Sequence, residues 1–107
     1  MKPKPVSHKI LPLEGEIDLN FSPAVTKDLQ SAIKERPDKL LIDLSKVSYI
    51  DSSGLAALLG GMQGVEFYGG KLYLVGMSDS LRPIFESSRL DQVFRIVPDI
   101  DSALAAK

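Results

Sequence analysis

The sequence predicts an α/β fold, a mostly parallel or mixed β-sheet of about four strands packed with about four helices. Three observations carry that expectation. Short apolar runs alternate with segments of helical periodicity, the connections between them are brief, and helix start and stop residues recur where the period changes. The 107 residues, 44% hydrophobic and 25% charged, suit a single domain over 1–107. A chain of that length buries roughly two thirds of its unfolded surface.

The opening "MKPKP" (1–5) reads as a flexible terminus, with prolines alternating with lysines before any periodic pattern begins. "VSHKILPLEGEI" is strand-like but broken by Pro12 and Gly15. Pro12 lacks a ladder donor, which places the strand at a sheet edge or gives it a bulge. In "NFSPAVTKDLQSAIKERP", Ser22 suits the N-cap and Pro23 the first helical position. Val25, Leu29, Ala32 and Ile33 share one helical face, and Pro37 stops the helix. "KLLIDL" is a continuous apolar run, as in a strand covered on both faces.

"VSYIDSSGLAALLGGM" then passes from an apolar segment into a helix whose stripe is Leu55, Leu58, Leu59, Met62 and Val65, ended by Tyr68 to Gly70. "KLYLVGM" is a second buried strand. "SDSLRPIFESSRL" predicts a short helix with a Ser/Asp cap, Pro83 in its first turn and Leu81, Ile84 and Phe85 inward. "VFRIV" is a further short strand, and "DIDSALAA" a closing helix capped by Asp99 or Asp101.

Composition narrows the function. Thirteen basic against fourteen acidic residues supply no global field for nucleic acid or anionic membrane. The absence of cysteine excludes disulfides and thiolate metal sites. No apolar run approaches a membrane span, and "MKPKP" lacks the apolar core of a secretion signal, so a cytoplasmic location is expected.

Catalysis finds no support in the motifs. A nucleophile elbow needs glycine two residues before its serine, but Ile50 precedes Ser52 and Asp51 precedes Ser53 at that distance. The one histidine, His8, is expected to face solvent, and a serine without a base stays protonated. "GGMQGVEFYGG" matches neither dinucleotide nor P-loop spacing; Gly60, Gly61 and Gly64 read as close helix-to-sheet packing or a weakened last turn. The aspartates do not fall in a calcium-loop pattern. No catalytic residue, cofactor or metal is expected.

Asp51-Ser52-Ser53-Gly54 is left. One of its side chains would cap the helix, and Gly54 would ease the turn. Capping does not account for the second hydroxyl. A serine at a helix N-terminus near a strand's carboxyl end is a physically sound phosphorylation site, because the helix dipole helps hold the added charge.

"LLIDLSKVSYIDSSGLAALLGG", followed by "GGKLYLVGMSDSLRPIFESSRLDQVFRIVPDIDSALAA" and preceded by "LEGEID", resembles the STAS domain family of sulfate transporters and anti-sigma factor antagonists. The resemblance implies an anti-sigma factor antagonist that binds an anti-sigma factor serine kinase and so liberates a sigma factor. The kinase would phosphorylate Ser52, ending the complex, and a metal-dependent serine phosphatase would reset it. Asp51, Ser53, Gly54 and Leu55 match the signature beside that serine, and Asp18 the aspartate of a neighbouring loop; these are the implied partner-binding residues. The alternative within the family is a non-switching scaffold subunit of a transport or stress-signalling complex; outside it, a small-ligand sensor. Three features depart from the family's pattern: the helix is unusually rich in glycine, Arg89-Leu90 stands where Gly-Leu is common, and only a few residues precede the first strand, where relatives often carry one more.

Overall fold

The computed structural model describes residues 8–106; the flexible terminus expected at 1–5 lies outside them. Strand β1 (His8–Ile17) pairs, among the described residues, only with β2 (Lys39–Ile50), so Pro12 does sit at an edge. Its register slips between Pro12 and Glu14 and again between Gly15 and Glu16. Gly15, at φ 80°, permits the second slip.

The sheet continues through β3 (Lys71–Val75) to β4 (Arg95–Val97) in the order β1-β2-β3-β4, every pair parallel. Of the parallel and mixed sheets expected, the parallel one is found. The order never reverses, so right-handed crossovers carry the connecting helices to one face. Helices α1 (Ser22–Lys34), α2 (Ser52–Phe67) and α3 (Arg82–Ser87) accordingly share one core with Leu40, Ile42 and Leu44. On the other face α4 (Ile100–Ala105) packs Ala103 against Leu41, Tyr73 and Val75. Among the described residues the sheet has no order reversal and so no switch-point crevice.

β2 is longer than "KLLIDL". β3 ends level with Asp43, so residues 44–50 pair with β1 alone. Val47 and Ile50 are buried while Ser45, Lys46, Ser48 and Tyr49 are exposed, a pattern proper to a half-covered strand. This overhang carries Asp51 out to the end of the sheet.

Two helix starts differ from expectation. Ser22 is not the cap of α1 but its first residue, and no side chain caps the preceding Phe21. Asp18 supplies the acceptors instead. Its carbonyl accepts from the N–H groups of Phe21 (3.0 Å) and Ser22 (2.8 Å), its carboxylate from Asn20 (2.9 Å) and Phe21 (3.3 Å). At α3 the expected Ser/Asp cap is likewise replaced by a backbone acceptor, the Ser78 carbonyl, which takes the N–H groups of Leu81 (3.1 Å) and Arg82 (3.3 Å). At α4, Asp99 caps as expected, accepting from the Ser102 N–H at 2.7 Å. Lys39 closes the other end of α4 by donating to the carbonyls of Ala103, Leu104 and Ala106.

Gly61 and Gly64 of α2 serve helix-to-helix rather than helix-to-sheet packing. A Cβ on Gly61 would stand 3.0 Å from Leu29, and one on Gly64 2.9 Å from Ile33, both on α1. Gly60 faces open space, and nothing in the packing explains it. Arg89 adopts φ 61°, the left-handed conformation that glycine takes without steric cost. That accounts for the Gly-Leu common in the family; an arginine there costs about 1–2 kcal/mol.

Candidate functional site

The parallel pairing of β1 with β2 brings their carboxyl ends together, Ile17 opposite Ile50. The Asp51 N–H donates to the Ile17 carbonyl at 3.1 Å, tying the two ends. Asp18 and Asp51, far apart in sequence, therefore begin adjacent turns, one leading into α1 and the other into α2.

Asp51 is extended (φ −97°, ψ −174°) and caps α2. One carboxylate oxygen accepts from the Ser53 N–H (2.9 Å), the Gly54 N–H (3.0 Å) and the Ser53 hydroxyl (2.6 Å). The two serines thus have different duties. Ser53 is half-buried and its hydroxyl is engaged with the cap. Ser52 is exposed at the first position of a sixteen-residue helix, its hydroxyl without a hydrogen-bond partner among the described residues. Gly54 and Leu55, two of the expected partner-binding residues, are buried. Leu55 belongs to the core, and Gly54 lies against Ile17 and Ile50.

The Ser53 hydroxyl, then the Gly54 N–H, hold the Asp51 carboxyl below the ordinary carboxylate range; desolvation opposes them, and the N–H groups of Ser53 and Leu19 add to them. Asp99 is lowered in the same way by the Ser102 N–H and hydroxyl. For carboxyls lower in the folded than in the unfolded chain, stability is full above the unfolded value and is lost as pH falls through the folded one. Denaturation midpoints are expected to hold from pH 7 to about pH 5 and to fall below about pH 4. Asn is as good an N-cap as Asp, so Asp51→Asn should match the parent at pH 7 and lose less on acidification. An equal acid loss in variant and parent would show that Asp51 does not contribute.

His8 opens β1, at the end of the strand opposite to Asp18 and on the order of 30 Å from it by strand rise. Among the described residues no group of His, Cys, Asp and Glu could hold a metal ion, and no helix is long and apolar enough to cross a membrane. Two exposed apolar residues beside Asp18 escaped the sequence reading. Leu19 and Phe21, in the turn after Asp18, are 72% and 57% exposed. The available signal was large apolar residues in a short turn between Asp18 and Pro23.

The STAS domain family model matches residues 1–103. The chain belongs to this family. An anti-sigma-B factor antagonist of Listeria monocytogenes is 32% identical over 96 residues, 90% of this chain and 84% of the relative. Among solved structures, an anti-sigma factor antagonist from Mycobacterium paratuberculosis superposes with a TM-score of 0.82 at 28% identity, covering 92% of this chain and 83% of that one. The Bacillus cell fate determinant SpoIIAA in its phosphorylated form shares the fold, with a TM-score of 0.66 at 23% identity over 90% of this chain and 87% of that chain. This STAS domain is thus similar to proteins named as anti-sigma factor antagonists.

Proposed function

We infer that the chain, a single STAS domain over 1–107, is a cytoplasmic anti-sigma factor antagonist switched by phosphorylation of Ser52. Unphosphorylated, it binds an anti-sigma factor serine kinase and frees a sigma factor. The kinase transfers the γ-phosphoryl group of ATP to the Ser52 hydroxyl oxygen, leaving ADP, and the phosphorylated chain dissociates; a serine phosphatase restores it. The chain is substrate and ligand in this cycle and performs no catalysis. Asp18, Asp51 and Ser53 frame the contact surface, with Gly54 and Leu55 seating it from below.

One observation carries this reading: of the two adjacent hydroxyls, only that of Ser52 is exposed and uncommitted. Modification there need not break the cap, whereas modification of Ser53 would remove the hydroxyl proton that it gives to Asp51. Purified chain incubated with the anti-sigma factor kinase of its own organism and labelled ATP is the test. Ser52→Ala is expected to abolish incorporation, and Ser53→Ala to leave a phosphorylated product. Label on Ser52→Ala would overturn the site. A parent chain that the kinase binds without phosphorylating would instead favour the non-switching scaffold.

A further inference from the structure

We propose that Leu19 and Phe21 form an apolar anchor that inserts into an apolar pocket of the anti-sigma factor kinase and sets which kinase the chain accepts. The inference rests on the partner assigned above and adds to it the residues that grip that partner. Single exposed apolar residues are ordinary on protein surfaces. These two differ in place. They lie in the turn that Asp18 makes, and the Ile17 carbonyl, two residues before Leu19, accepts the Asp51 N–H at 3.1 Å. The anchor is thus continuous with Ser52, the residue whose charge changes. Phe67, at 88% exposure the barest large apolar side chain among the described residues, stands at the other end of α2, about 22 Å from Ser52 by helix rise, and has no such continuity.

Nothing in the fold requires leucine or phenylalanine here. The turn is made by Asp18, whose acceptors bind only backbone N–H groups, and neither Leu19 nor Phe21 belongs to the core. The occupant follows from area and charge. Together the two side chains offer roughly 200–300 Å² of apolar surface, so a two-fold pair built on them would bury only about half of the roughly 1,000 Å² that a stable pair of copies needs. A two-fold pairing through this patch would also bring Asp18 and Asp51 of each copy towards those of the other. A pocket on a different protein suits two protruding side chains, as interface anchors commonly do. A phosphoryl group at Ser52 would add its charge beside the Asp51 carboxylate, at the edge of that contact.

The test is the Leu19→Ser, Phe21→Ser double variant of the full chain, titrated with the kinase that phosphorylates the parent. Serine is favourable just before a helix, so the melting temperature should be unchanged. Affinity is expected to fall about 30-fold or more, and Leu19→Met with Phe21→Leu to restore most of it. Parent-like affinity in the serine variant would overturn the anchor while leaving the Ser52 reading intact. A parent chain that the kinase neither binds nor phosphorylates would overturn both. A parent that sediments as a dimer, made monomeric by the serine pair, would overturn the assigned occupant in favour of a second copy.

Discussion

Gly54→Val is expected to lower stability by about 3 kcal/mol or more, the upper end of the overpacking range. A Cβ at position 54 would stand 2.7 Å from the Ile17 carbonyl oxygen, 2.7 Å from Ile50 Cγ2 and 2.9 Å from Ile17 Cγ2. A flexible side-chain tip could move aside, but a backbone carbonyl cannot, and this one also accepts the Asp51 N–H. Relief would have to part α2 from the ends of β1 and β2, the junction on which the Ser52 surface is built. Alanine replaces only the first of valine's added carbons and recovers up to about 1 kcal/mol in helix propensity, so Gly54→Ala should cost less. In a domain of this size about 1 kcal/mol moves the melting temperature by 4–8 °C, so the valine variant should melt at least about 10 °C lower. Gly60→Ala, on the same helix with nothing within 4 Å of a Cβ, is the control and should gain up to about 1 kcal/mol. Parent-like melting of Gly54→Val would mean that the junction yields, and the rigid seat inferred for Ser52 would be wrong.

The reach of the sequence follows from the range of the interactions involved. Apolar periodicity and helix-stop residues are local, so Val25, Leu29 and Ala32, the α2 stripe and the Asp99 cap were legible. The continuity of β2 through Ser45 and Lys46 was not, because these polar residues interrupt the apolar run and only the pairing with β1 carries the strand past them. Ser22 was read as a cap from the residue type that favours that position. The chain instead uses a backbone carbonyl and a carboxylate four residues earlier, and neither leaves a mark at Ser22. Gly61 and Gly64 were recognised as packing glycines, but their partner is α1, a tertiary fact beyond any window of sequence. The site divides in the same way. The Asp51 cap could be read from the tetrapeptide itself. The division of labour between Ser52 and Ser53 required the 2.6 Å hydroxyl contact, and the nearness of Asp18 came from family resemblance before the parallel strand ends supplied its cause.

Phosphorylation of Ser52 is expected to weaken kinase binding at least tenfold, and up to about a thousandfold, while leaving the fold in place. The two effects separate because the same charge meets different surroundings. Within the free chain, the phosphoryl group brings about −1.5 to −2 charges to an exposed position at the positive end of α2. The helix dipole favours it by about 0.3–1 kcal/mol, offsetting repulsion from Asp51 alongside. The net change in stability should stay within about 1 kcal/mol, seen as a melting shift of a few degrees in either direction. Against a docked partner, solvent screening is reduced. A like-charge contact near 4 Å costs about 1 kcal/mol in water and about 4 kcal/mol at a partly desolvated interface, and each 1.4 kcal/mol is tenfold in affinity. Affinities should therefore run Ser52→Ala, then Ser52→Glu with its single charge, then the phosphorylated chain as weakest. Calorimetric titration of all three at low and at 0.5 M salt separates charge from bulk. An electrostatic penalty shrinks as the Debye length shortens, whereas a steric one does not. Equal affinity of the phosphorylated and Ser52→Ala chains would remove the switch altogether. A penalty independent of salt would keep the switch but assign it to the volume of the phosphoryl group against the pocket wall.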